Sequence, residues 1–237
     1  MTFTVIFLTL VAQNDPDAFA DANAAAENGD YATAVDRYEE LLLASPQASG
    51  VWYNLGHAAY RAEQLGRSIA AFRTAAALAP RDPRIKNNLT LARKGVSPPV
   101  SPSVSNPILA TLFFWHYSLS VGELGWLAIG CGGLFWTAAI VLRNRVGQIA
   151  GILGVLSLVL FFGSWTIRVL SPASIAVVNR DNAPVRTRTD RRSDVRFTVP
   201  EGAELRWREE VGTWIRVSHP DGQQGWIHRD DVFLLSL

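Results

Sequence analysis

Four histidines and one cysteine are the first places to look for chemistry, because imidazole and thiolate side chains most readily move protons, attack carbonyls or hold metal ions. The histidines are His57, His116, His219 and His228, and none has a partner at the helical or hairpin spacing of a metal pair. His219 stands beside Pro220-Asp-Gly, a turn in which a solvated loop side chain is expected. Cys131 lies inside a long apolar run, where it neither pairs within the chain nor reaches water as a thiolate. No glycine-rich phosphate loop and no nucleophile elbow occurs. The residues therefore support no enzyme, cofactor or metal centre, and the remaining candidates are surfaces that bind.

The totals narrow the class. The chain has 237 residues and a formal net charge of +1, so it lacks the basic footprint of a nucleic-acid binder. Its mean hydropathy of +0.12 is high for a soluble protein, and its apolar residues are clustered. This is the pattern of a membrane protein with soluble ends. Thr2 to Ala12 (TFTVIFLTLVA) is too short to span a bilayer and resembles the apolar core of an export signal, or else a buried N-terminal helix.

Residues 13–95 are alanine-rich with helical periodicity, and they repeat at a spacing of 34 residues. Trp52, Leu55, Gly56, Ala58, Ala59, Phe72, Ala75 and Pro80 form one unit; Ala34, Tyr38, Leu41 and Pro46 occupy matching positions before it, and Asn88 and Leu89 after it. This resembles the tetratricopeptide repeat, here as two helix pairs and a capping helix, at the lower limit of what buries a continuous core. The resemblance implies a concave groove formed by Phe19, Asn23, Tyr53, Asn54, His57, Tyr60, Arg61, Arg84, Asn87 and Asn88. Asn23, Asn54 and Arg84 fall where relatives clamp a terminal carboxylate, although Phe19 and Asn88 stand where such relatives carry a base. The clamp, general groove binding and plain packing all remain open. Charge is uneven: Asp15 to Glu40 carries eight acids and one arginine, and Arg61 to Lys94 eight bases and two acids. Solvated faces that complement one another are the expectation.

Residues 96–107 are Pro/Ser-rich and read as an extended spacer. Residues 108–118 concentrate Phe113, Phe114, Trp115 and Tyr117, as in a segment at the lipid headgroup boundary. Residues 121–142 and 146–168 are each long enough to cross a bilayer of about 30 Å. Gly147 with Gly151, Ala150 with Gly154, and Ala128 with Gly132 are spaced for close helix packing. No ionisable side chain lies deep in either span, which argues against a transporter. Arg143 and Arg145 crowd the turn between them and place it in the cytoplasm by the positive-inside bias. Two spans then leave both large soluble segments on the same, outer side, and they would share one side even with the orientation reversed.

Residues 173–237 change to period two. Strands are predicted at Ile175–Val178, Val195–Val199, Glu204–Trp207, Thr213–Val217 and Gly225–Ile227, separated by Pro200-Glu-Gly, Val211-Gly and Pro220-Asp-Gly turns. Five short strands suggest a small barrel. With Val185-Arg-Thr-Arg and Gly225-Trp-Ile the segment resembles the bacterial SH3-like domain. Trp214 aligns with a groove tryptophan of peptide-binding relatives, while His228 and Asp231 replace the expected proline and tyrosine. Trp207, Trp214 and Trp226 either line a wall-sugar or protein site or fill the barrel.

The fold class is thus a multi-domain membrane protein: all-α tetratricopeptide hairpins, a two-helix transmembrane hairpin and a small all-β SH3-like barrel. This order of modules resembles the BatE proteins of the Bacteroides aerotolerance group. The resemblance implies a non-enzymatic envelope scaffold beside membrane-anchored von Willebrand A-type partners and a MoxR-like ATPase. The rival expectation is a peptidoglycan-gripping anchor.

Overall fold

A computed structural model describes residues 16–100, 111, 113–142, 145–170 and 174–236. The signal-like segment 1–12, Arg143 and residues 101–107 of the spacer lie outside the described residues. The chain divides into two compact units: the described parts of Met1–Ser103 and Ser174–Leu237 together form one, and those of Val104–Ala173 form the other.

The first unit begins with five helices, α1 (Pro16–Glu27), α2 (Tyr31–Ala44), α3 (Ser49–Arg61), α4 (Leu65–Leu78) and α5 (Pro83–Lys94). Gly29, at φ +80°, sits in the turn between α1 and α2, and the Asp30 carboxylate caps α2 by accepting from the Thr33 N–H at 3.2 Å. Asp82 caps α5 through the Arg84 N–H at 2.8 Å, with Pro83 in the first turn where its missing N–H costs nothing. Small residues set the spacing between helices. A Cβ at Gly56 would lie 2.7 Å from the Phe72 ring, and the Ser68 hydroxyl donates to the Gly56 carbonyl at 2.8 Å. Ala22, Ala34, Tyr38, Leu55, Ala58 and Ala59 are buried together in one cluster.

The later part of the unit is a seven-stranded antiparallel sheet: β1 (Ser174–Val178), β2 (Ala183–Arg186), β3 (Val195–Val199), β4 (Glu204–Val211), β5 (Trp214–Ser218), β6 (Gln224–His228) and β7 (Val232–Ser236), in the order β3-β2-β6-β5-β4-β1-β7. Sequence periodicity finds five of these. β2 is missed because Pro184 interrupts its pattern, and β7 because Val232-Phe-Leu-Leu is an unbroken apolar run. Inward residues Ala176, Val185, Leu205, Ile215, Val217 and Ile227 form the core of the sheet.

Helices and sheet are not separate beads. Ile69, Phe72, Leu89 and Val96 from the helical part pack in one buried cluster with Ile175 and Val177 of β1, and Phe233 and Leu235 of β7 lie against it. The Pro200–Gly202 turn fits into the helices at close range. The Glu201 carboxylate accepts from the Gly66 N–H at 2.9 Å, supplying α4 with the cap that Gln64 does not give. A Cβ at Gly66 would lie 2.2 Å from the Val178 carbonyl oxygen, and one at Gly202 would lie 2.8 Å from Ile69 Cδ1. Behind this turn Glu204, 1% exposed, is gripped by Arg73 of α4 and by Arg93 of α5, whose Nε donates at 2.6 Å. Burial holds the Arg73 pKa below its ordinary value, although the Glu204 carboxylate beside it pushes the other way.

The expectation that the acidic and basic stretches form solvated faces that complement one another is corrected in part. Arg73 and Arg93 serve the buried Glu204, although Arg67 does meet Glu39 of the acidic stretch at 3.0 Å. The short helical array closes its core against the sheet rather than against a further repeat.

In the second unit a short helix α6 (Phe114–Ser118) precedes α7 (Val121–Leu142). Then come α8 (Arg145–Ser157), a π-helical turn at Leu158–Phe162 and α9 (Gly163–Leu170), continuous as one 26-residue helix. Both long helices are apolar and long enough to cross a membrane, and they are compatible with a membrane anchor. The small residues meet as expected: Ala128, Gly132, Gly147, Ala150 and Gly154 are buried, and a Cβ at Gly154 would lie 3.1 Å from Phe135. Ile129, Leu134, Ile140, Ile152 and Val159 point outward.

Replacing Gly66 by valine should destabilise the first unit by about 3 kcal/mol or more in chemical denaturation, since the obstacle is backbone and cannot rotate away. Gly50→Ala, where nothing lies within 4 Å, should be neutral or slightly stabilising.

Candidate functional site

Among the described residues no cluster of histidine, cysteine or carboxylates could hold a metal ion. Two clefts of the first unit instead combine shape with polar chemistry.

One cleft of about 240 Å³ lies among the repeats and is lined by Asn23, Glu27, Tyr31, Tyr38, Asn54 and His57, with Ala26. Asn23, Asn54 and His57 line this cleft together. Asn23 Oδ1 accepts from the Tyr38 hydroxyl at 2.6 Å and from Asn54 Nδ2 at 3.2 Å, so one amide ties α1, α2 and α3 together. Burial pushes the Tyr38 pKa up, while the hydrogen bond with Asn54 lowers it. Tyr31 carries the Arg61 guanidinium over its ring at 5.0 Å, a cation–π contact beside the cleft.

The other predicted groove residues are distributed differently. Arg84 is held by Asp82 through Nε at 3.2 Å and Nη2 at 2.8 Å, and its guanidinium lies 5.6 Å from the Tyr53 ring centroid. It does not converge with Asn23 and Asn54 on one anion site. Asn88 Nδ2 donates to the Tyr53 hydroxyl at 2.9 Å, and Phe19 packs on the core with its ring 6.4 Å from Tyr38. Tyr60 and Asn87 are exposed.

The second cleft, of about 330 Å³, belongs to the sheet and is lined by Arg180, Pro184, Arg186, Arg191, Trp214 and His228, with Asp230 and Asp231. Trp214 is only 8% exposed and meets His228 edge-on at 5.3 Å. Each arginine is held by a protein acceptor: Arg180 by Asp231 at 3.1 Å, Arg186 by the Ser193 carbonyl at 2.6 Å, and Arg191 against His228 Nε2 at 3.3 Å. His228 Nδ1 lies 3.3 Å from Asp230 Oδ2 and 3.4 Å from the Asp230 backbone N–H. An aromatic floor under fixed guanidiniums suits a ligand with both an apolar face and an anionic group.

The three tryptophans are not gathered. Trp207 packs on the sheet core and its indole N–H points to the Leu235 carbonyl at 3.4 Å, while Trp226 lies on β6 outside the cleft lining. Sequence reasoning did not single out the three cleft arginines. Their signal was the arginine density around Val185, which only the fold turns into a site. Of the two turn arginines Arg145 opens α8.

Comparison with known families agrees with this architecture. A tetratricopeptide repeat family matches residues 25–91, and a bacterial SH3 domain family matches residues 181–233. No curated protein matches the chain. The chain thus joins tetratricopeptide helix pairs, two apolar helices and an SH3-like sheet, domain types that act mostly in protein interaction or peptidoglycan binding and are typically non-catalytic.

Tyr38→Phe should cost about 1 kcal/mol in chemical denaturation, because Asn23 Oδ1 loses its shortest hydrogen bond. His57→Ala, at an exposed position, should leave stability unchanged.

Proposed function

We propose that the chain is a membrane-tethered, non-enzymatic scaffold that binds protein partners through its repeat cleft and its SH3-like sheet. The observation that carries this reading is the shared core between the two modules, which holds both clefts on one body. Residues 16–100 and 174–236 can share a core only on one side of a membrane, and two crossings between them meet that condition. Confinement beside a membrane raises the effective concentration of such a body toward other membrane-bound proteins. The arginines at positions 143 and 145 put the turn inside the cell and the paired modules on the outer face, in the envelope. The module order favours a role in aerotolerance or stress tolerance beside von Willebrand A-type proteins and a MoxR-like ATPase.

A second reading, a peptidoglycan-binding anchor, is favoured by one feature, the Trp214 floor beneath three arginines. The full chain in nanodiscs, mixed with purified wall sacculi and sedimented, separates the two. The scaffold reading expects the chain to stay in the supernatant. Retention that is lost in Arg191→Glu would establish the wall anchor instead.

A further inference from the structure

Beyond the Trp214 cleft, the outer face of the sheet carries a charge that the folded body does not neutralise. Cross-strand register sets one row of side chains on it: Arg186 of β2 stands opposite Trp226 of β6, Trp226 opposite Arg216 of β5, and Arg216 opposite Glu209 of β4. Val185, Ile215 and Ile227 turn inward to the core, so this row points out. A second row adjoins it, with Gln224 opposite Ser218 and Ser218 opposite Arg206. Arg196 reaches that row from β3 by donating to the Gln224 carbonyl at 2.7 Å.

On these two rows four arginines meet one carboxylate. Glu209 lies 3.4 Å from Arg216. Arg186 and Arg196 each give one donor to a neutral carbonyl, of Ser193 and of Gln224, which leaves their charge uncompensated. Arg206 is exposed and has no partner among the described residues. Glu210 stands opposite Ile215 and so shares the other side of the sheet, and Asp221 in the neighbouring turn is held by His219 at 2.8 Å. The face is therefore basic although the chain as a whole carries a net charge of only +1.

The spacing of the charges indicates what they would meet. Two strand spacings of roughly 4.8 Å put the Arg186 and Arg216 backbones about 10 Å apart across Trp226. An extended segment with three residues per turn carries its side chains i and i+3 on one edge about 9 Å apart. Each guanidinium is a planar fork that takes a carboxylate through two hydrogen bonds, and the partly exposed Trp226 ring between them offers an apolar surface. We propose, on the reading of the sheet as a protein-binding module, that this face binds an acidic, extended segment of a protein partner. Carboxylates three residues apart lie on Arg186 and Arg216, an apolar side chain between them rests on Trp226, and Arg196 and Arg206 extend the field that draws the segment in.

The test uses the full chain in nanodiscs of zwitterionic lipid and a fluorescein-labelled peptide, Gly-Ser-Glu-Ala-Phe-Glu-Gly-Ser, followed by fluorescence anisotropy. The peptide should bind, and its version with glutamine for both glutamates should not. Binding should weaken by about tenfold in Arg216→Glu and less in Arg206→Glu. Lys86→Glu, an equal change of charge exposed on α5, should leave it unaltered. Circular dichroism of the three variants should match the native chain, since each side chain is exposed. No binding of the acidic peptide, equal binding of its glutamine version, or an equal loss in Lys86→Glu overturns the proposal. Peptide failure with the chain left in the supernatant by wall sacculi overturns it and leaves the scaffold reading standing. Peptide failure with retention on sacculi that is lost in Arg216→Glu assigns the face to a wall polymer and overturns both.

Discussion

The fold depends on a carboxylate out of reach of water. Glu204 opens β4 at 1% exposure, and it is tolerated there only because Arg73 and Arg93 approach from two different helices. Neither arginine belongs to the sheet, and Glu204 does not belong to the repeats. The ion triad therefore has meaning only when helices and sheet are docked, and it fixes their register as well as their contact. The neighbouring turn acts in the same way, since Glu201 caps α4 and Gly66 and Gly202 give up side chains so that backbones can touch.

This docking changes what the repeats are. Two helix pairs and a cap bury a continuous core only marginally, because each unit covers its apolar face against the next. Here β1 and β7 supply that missing neighbour. The two halves of the folded body are separated in sequence by an apolar helix pair. A body built this way presents its clefts at a fixed separation, where a flexible spacer would have let them wander.

What the sequence made legible was local. Helix pairs follow from the repeat register of Trp52, Leu55, Gly56 and Phe72, the hairpin from its uncharged runs and small residues, and most strands from alternation. Asn23, Asn54 and His57 share a cleft because equivalent repeat positions line one face. The docking was not legible, since Arg93–Glu204 and Arg73–Glu204 join residues 111 and 131 positions apart, and no periodicity reports a partner so distant. The excess of basic residues between Arg61 and Lys94 was its trace, but a charge excess names no partner. The sheet cleft was half legible: Trp214 was singled out by the resemblance to SH3-like relatives, whereas Arg180, Arg186 and Arg191 converge only after β2 pairs with β3 and β6.

Native-state hydrogen exchange on the full chain tests the shared core most directly. If helices and sheet are one cooperative body, amides in the middle of α4 and of β1 open with the same free energy, and Glu204→Ala lowers both together by about 3–5 kcal/mol. Loss of protection in β1 while α4 keeps its own would show that the repeats fold without the sheet, and the account built on their union would be wrong.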